Sequence, residues 1–299
     1  MKQFTTLLFT SIVICSIAQT PLQFIKTVDQ KGPVAYRDPF GSISPDGRLL
    51  AYSDRNQLII QQIQGGATFE LQKQGAFIIS LRWMPDSKKL VTYEIGGKKN
   101  FWYVYDVSSR EVTPLWSNRT SFVDSEKQIE INRSQLRELS WSGDGSKVVG
   151  ISRQNGKSQL WLLNKDGQDE EVIAEKEFIE SPQWNPSNNT LAGVIEFKGQ
   201  RSIQLDLANP KSEFIRVNCY GPIAFSPDGK TIYYSKANEK KVIDLHSYSL
   251  VSRAHEQLAS FSRDSYAPSV SNDGSVLFKL QDYRVFIAAT VGDSQVSQP

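Results

Sequence analysis

Two histidines, His246 and His255, and two cysteines, Cys15 and Cys219, are all that the 299 residues offer of those types. Their scarcity limits the chemistry at once. A zinc centre takes three or four His, Cys or carboxylate ligands at motif spacing, and this pair supplies no such set, so both read as exposed or capping side chains. Cys15 lies in an apolar leader, which leaves Cys219 without a partner for an intramolecular disulfide. Beside Tyr220 it reads as a small buried hydrophobe. Glu138, Glu180 and Asn218 stand near strand starts and carry the oxygen ligands that calcium prefers, but their spacing does not set them apart from solvated rim residues. No Gly-x-Ser-x-Gly element occurs. The sequence therefore offers no catalytic, cofactor or metal constellation, and none is expected.

The patterned carboxylates are of another kind. Asp46, Asp86, Asp144, Asp228 and Asp273, with Ser187 in the same column, sit in turns at intervals of 40, 58, 43, 41 and 45 residues. Ser226-Pro227-Asp228-Gly229 is the best-formed of these turns, and Ser44-Pro45-Asp46-Gly47 repeats it. Proline presets φ at such a turn, aspartate bonds back onto it, and glycine takes the positive φ that ends it. Three residues before the turn position stand Ile43, Trp83, Trp141, Trp184, Phe225 and Val270. Four residues after it stand Leu50, Leu90, Val148, Leu191, Ile232 and Leu277. Both columns are apolar throughout, so each copy buries the same two positions. Repetition explains the aspartates without chemistry.

A period of about 40–45 residues with four strands per unit marks a β-propeller. The sequence predicts an all-β, six-bladed β-propeller of four-stranded antiparallel blades over residues 19–299. The last copy lacks an outer strand, whereas Leu22–Val28 precedes the first copy unpaired. That N-terminal strand is predicted to cross over and close the last blade, covering an open edge.

Lys and Arg number 34 against 32 Asp and Glu, a net charge of +2. That balance argues against a nucleic-acid binder, which carries a basic face. Residues 1–18 read as a signal peptide: Lys2, an apolar run from Leu7 to Ile17, and small residues before a cut after Ala18. The run is too short to span a bilayer, so the mature chain is expected to be exported, to the periplasm or beyond, without a transmembrane segment and as a monomer. Lipidation at Cys15 is the rival reading.

The 58-residue interval holds about fifteen extra residues, placing an insertion at 118–135 between copies two and three. It reads as a long loop or short helix. Basic and apolar residues in it and just after it, Arg119, Phe122, Lys127, Arg133 and Arg137, are the candidate partner-binding set.

Ser-Pro-Asp-Gly followed by an apolar strand resembles the TolB-like propeller repeat, also called the WD40-like or PD40 repeat, from about residue 40 to 290. The resemblance implies that each such turn joins a blade's innermost strand to its second. It also implies that the insertion projects from the opposite end of the ring. The α/β domain that precedes the propeller in periplasmic TolB, and the hydrolase domain of prolyl oligopeptidase-type peptidases, are not expected in these 299 residues. The expected function is a non-catalytic protein–protein interaction or scaffolding module of the cell envelope. The alternatives are a hydrolase or lyase with a site at the channel mouth, or a carbohydrate- or peptide-binding lectin-like protein.

Overall fold

The computed structural model describes residues 23–29, 41–54, 57–64, 67–96, 101–259, 265–280 and 284–289. The expected leader and Cys15 lie outside them.

The chain begins with β1 (Gln23–Asp29) and then builds sheets from consecutive strands. The first holds β2 (Ser42–Ile43), β3 (Leu49–Asp54), β4 (Gln57–Gln62) and β5 (Thr68–Leu71). The second holds β6 (Phe77–Trp83), β7 (Lys89–Ile95), β8 (Phe101–Asp106) and β9 (Val112–Pro114). A two-stranded ribbon, β10 (Ser121–Asp124) and β11 (Ile129–Asn132), follows, with a 3-10 turn at Arg133–Gln135. The third sheet holds β12 (Arg137–Trp141), β13 (Lys147–Gln154), β14 (Lys157–Asn164) and β15 (Glu171–Lys176). The fourth holds β16 (Ile179–Trp184), β17 (Leu191–Phe197), β18 (Gln200–Gln204) and β19 (Phe214–Ile215). The fifth holds β20 (Cys219–Phe225), β21 (Thr231–Ala237), β22 (Ile243–Ser249) and β23 (His255–Ala259).

These five sheets are complete four-stranded antiparallel blades, each one continuous stretch of chain. The last three strands, β24 (Ser265–Val270), β25 (Ser275–Leu280) and β26 (Arg284–Ala289), form a composite sheet with the N-terminal strand, in the order β1-β26-β25-β24. The architecture is that of an all-β propeller.

The repeated turns explain why the blades form. Ser44, Ser142 and Ser226 each donate their hydroxyl to the turn aspartate at 2.6 Å. The same hydroxyls accept the N–H of Leu49, Lys147 and Thr231, five residues on, at 2.9–3.0 Å. Gly47, Gly145 and Gly229 close the turns at φ 72, 70 and 68°, where a side chain is strained. The hydroxyl of Ser142 helps hold the Asp144 carboxyl down to about 2. The bonds that shape each turn thus lie within six residues.

Neighbouring blades are tied at one-repeat separations. Trp83 Nε1 donates to the carbonyl of Ser42 at 2.9 Å, and Trp184 Nε1 to that of Ser140 at 3.2 Å. At these two seams the tryptophan of the apolar column therefore also bonds backward to the preceding blade. Apolar residues from adjacent blades share single clusters, as where Val91, Tyr93 and Trp102 meet Leu136, Leu139 and Trp161. Burial of that kind supplies most of the stability of a repeat fold.

The insertion differs from expectation. It is a β-hairpin followed by a single 3-10 turn, packed against the third sheet, in place of the expected long loop or short helix. Phe122 and Ile131 are fully buried, and Phe122 meets Trp116 edge to face at 5.3 Å. Asp124 accepts the N–H of Val172 in β15 at 2.8 Å, so the hairpin is pinned to the outer strand of the third sheet.

Candidate functional site

The inner strands converge on a central cavity of 590 Å³. One column of residues, immediately before the aromatic column, lines it: Ser42, Arg82, Ser140, Gln183, Ala224 and Ser269. Alternation along a strand sends these side chains away from the seams and into the channel. Turn residues Pro45, Pro85, Gly143, Pro186 and Pro227 also line it, so it opens at the end of the ring that carries the turns.

Arg82 is the charged member of that column. Its guanidinium donates to the carbonyl of Leu81 at 2.9 Å, and burial lowers its pKa while the nearby Glu138 carboxylate raises it. Deeper in, Glu138 and Ser181 both sit at β-bulges with φ 52°, a left-handed conformation that is rare away from glycine. The Ser181 N–H donates to Glu138 Oε2 at 2.6 Å. The Ser181 hydroxyl accepts the N–H of Ile223 at 2.9 Å. One relay thereby staples the third, fourth and fifth blades. Burial pushes the Glu138 carboxyl up; the Ser181 N–H, Arg82 and Arg153 pull the other way, and Glu180 adds to the rise. Glu180 pairs with Arg201 at 3.4 Å.

Of the oxygen donors singled out in the sequence, Glu138 and Glu180 come together at the channel, whereas Asn218 is exposed and lies apart from its lining. Among the described residues no three His, Cys, Asp or Glu side chains gather as metal ligands. The histidines meet through a tyrosine: the Tyr234 hydroxyl lies 2.8 Å from His255 Nδ1, and the ring stacks on His246 at 5.6 Å. His255 is exposed at a blade edge and His246 half-buried, and burial lowers the pKa of both. Cys219 is fully buried, its thiol pushed up to about 12 by desolvation.

The candidate partner set is split by the fold. Phe122 and Arg133 are buried. Arg133 donates to the carbonyls of Leu115 and Trp116 and lies 4.2 Å from the Phe101 ring. Arg119 pairs with Glu170, Lys127 with Asp124, and Arg137 sits 4.2 Å over Tyr93. Sequence reasoning missed Arg82 and Arg153. The first was findable, because its position in the channel column follows from the aromatic column beside it.

The fold and the channel define a β-propeller, and comparison narrows the type. No family model matches the chain. Tol-Pal system protein TolB of Anaeromyxobacter dehalogenans is 25% identical over 130 residues, covering 43% of this chain and 26% of that protein; its counterpart from Anaeromyxobacter sp. (strain K) matches to the same extent. The chain thus spans about a quarter of the length of these curated relatives. Among solved structures, TolB from Acinetobacter baumannii superposes with a TM-score of 0.54 at 15% identity, over 84% of this chain and 63% of that one. A chain of the Mitotic Checkpoint Complex gives 0.62 at 14% identity, over 97% and 100%. The tricorn protease gives 0.57 at 13%, over 86% and 26%. The protein is a TolB-like propeller in fold.

Proposed function

We propose that this propeller is a protein–protein interaction or scaffolding module of the cell envelope, non-catalytic, whose channel mouth at the turn-bearing end receives a segment of a partner. The observation that carries the reading is the 590 Å³ cavity, lined by inner strands and prolines from around the ring. Rigid scaffolds that present loops at one end suit recognition, and the TolB likeness points the same way. The rings of Trp83, Trp141 and Phe225 are only 7, 8 and 9% exposed and Trp184 is half-buried, so the lining offers little of the open aromatic face on which a sugar stacks.

The test uses Gly143, which lines the mouth and where an added side chain would meet nothing within 4 Å. Gly143→Trp is expected to leave the melting temperature unchanged and to abolish partner capture from envelope extract. Capture equal to that of the parent rules out the mouth. A second contact is proposed at the hairpin, drawing on the basic residues Arg119, Lys127 and Arg137 and on Val123, an apolar side chain that is 43% exposed; Phe122 and Arg133, both buried, would anchor it from beneath. Val123→Glu tests it.

Six blades closing one ring, in a single domain over residues 19–299 freed of a signal peptide at 1–18, complete the proposal. Two bonds support closure: the Asn272 N–H donates to the Pro45 carbonyl at 2.6 Å, and the Ile43 N–H to Ser269 Oγ at 3.4 Å. Deleting residues 19–30 is expected to lower the melting temperature far more than deleting 293–299, and equal tolerance counts against closure. Among the described residues no helix is long and apolar enough to cross a membrane. Recovery of the chain in the osmotic-shock fraction or the medium, lost on removing residues 1–18, would support export.

A further inference from the structure

We propose that the seam between the third and fourth blades binds a small organic oxyanion, a carboxylate or phosphate carried on an apolar body, through Arg137 and Arg153. A cavity of 420 Å³ opens there, within the range of small-molecule sites. It is lined by the starts of β12 and β16 and the far part of β13, which puts it toward the end of the ring opposite the turns.

Both guanidinium groups are held before any ligand arrives. Arg137 lies 4.2 Å over the Tyr93 ring and donates to the carbonyl of Ser134 at 2.6 Å. Arg153 lies 5.3 Å from the Phe178 ring, with Arg201 5.0 Å from the same ring. Stacking occupies the face of a guanidinium and leaves its N–H edge free to bond a planar oxyanion.

The charges around the cavity do not cancel. Its carboxylates already have partners: Glu180 pairs with Arg201 at 3.4 Å, and Glu138 takes the Ser181 N–H at 2.6 Å. Neither Arg137 nor Arg153 has an ion pair among the described residues. The lining itself holds two arginines and two glutamates, and Arg201, pairing with Glu180 from outside it, adds a third positive charge. Phe178, Ile151 and Ile179 complete the wall and give an apolar body something to lie against.

The experiment compares phenylacetate, phenyl phosphate and the neutral phenylacetamide by calorimetry against the whole chain at low salt. At least one of the two anions should bind saturably, and phenylacetamide at least about tenfold more weakly. Which anion binds tighter tells carboxylate from phosphate. Arg153 is exposed at its strand end, so Arg153→Met should keep the melting temperature while weakening anion binding at least about tenfold, with Arg137→Met as a second variant. Equal binding of phenylacetamide, an unchanged affinity in Arg153→Met, or no saturation by about 10 mM of either anion would overturn the proposal.

Discussion

The turn at Ser226–Thr231 and the hairpin at Ser121–Asn132 are both excursions from a blade, yet they are held by opposite means. In the turn the bonds that set its shape run within five residues: Ser226 to Asp228, the Thr231 N–H to Ser226, the Gly229 N–H to the Ser226 carbonyl. Its outward carbonyls reach further, Gly229 accepting from Asn185 and Lys230 from Leu250. In the hairpin the bonds that fix its place reach far along the chain. Asp124 accepts from Val172, 48 residues on, and Arg133, beyond its last strand, donates to carbonyls 17 and 18 residues back. The turn is a local device that any blade can carry. The hairpin is a tertiary wedge that exists only where the second and third blades offer it a seat.

Breaking the wedge should therefore cost most. Phe122→Ala empties a fully buried ring site between Trp116 and its neighbours, and an unfolding titration is expected to show a loss of about 3–5 kcal/mol. A loss below about 1 kcal/mol would mean that the hairpin merely rests on the surface.

Asp124→Asn comes next and depends on pH. Burial raises the Asp124 carboxyl, but the N–H groups of Val172 and Lys127 and the Lys127 ammonium outweigh it, and the net shift is downward. A depressed carboxyl stabilises the fold above its unfolded value, about 3.9, and that contribution fades as pH falls through the folded value. The parent should exceed Asp124→Asn by about 2 kcal/mol at neutral pH, and the gap should shrink below about pH 4. A gap that stays constant from pH 7 to 3 would remove the charge from the explanation.

The turn should yield less. Ser226→Ala removes the acceptor of the Thr231 N–H and the donor to Asp228, for an expected loss of about 1–2 kcal/mol. Smallest is Val123→Glu, on the exposed face of the hairpin, which should shift stability by no more than about 0.5 kcal/mol. If Ser226→Ala cost more than Phe122→Ala, the ranking of wedge over turn would be reversed.

The same contrast explains what the sequence disclosed. Two apolar columns and the turns between them are local and repeated, so the strands around Leu50, Leu90, Val148, Leu191 and Ile232 could be placed from spacing alone. The channel column containing Arg82 and Ser140 was equally within reach, since period-2 alternation puts it opposite the buried aromatics. The hairpin occurs once, and its polar residues read as a solvated loop. Arg133 looked like a surface charge, because the Phe101 ring and the two carbonyls that receive it are distant in sequence. Glu138 was visible as a residue near a strand start, but its burial follows from a bulge and from Ser181 in the next blade.

The most direct test of the functional account is capture of envelope proteins by the parent chain, Gly143→Trp and Val123→Glu, side by side with their melting temperatures. A propeller that takes its partner at the turn-bearing mouth predicts that Gly143→Trp melts like the parent and loses at least about nine-tenths of a specific capture, roughly 1.4 kcal/mol of binding or more. A fully folded Gly143→Trp that captures the same partner as well as the parent would contradict it.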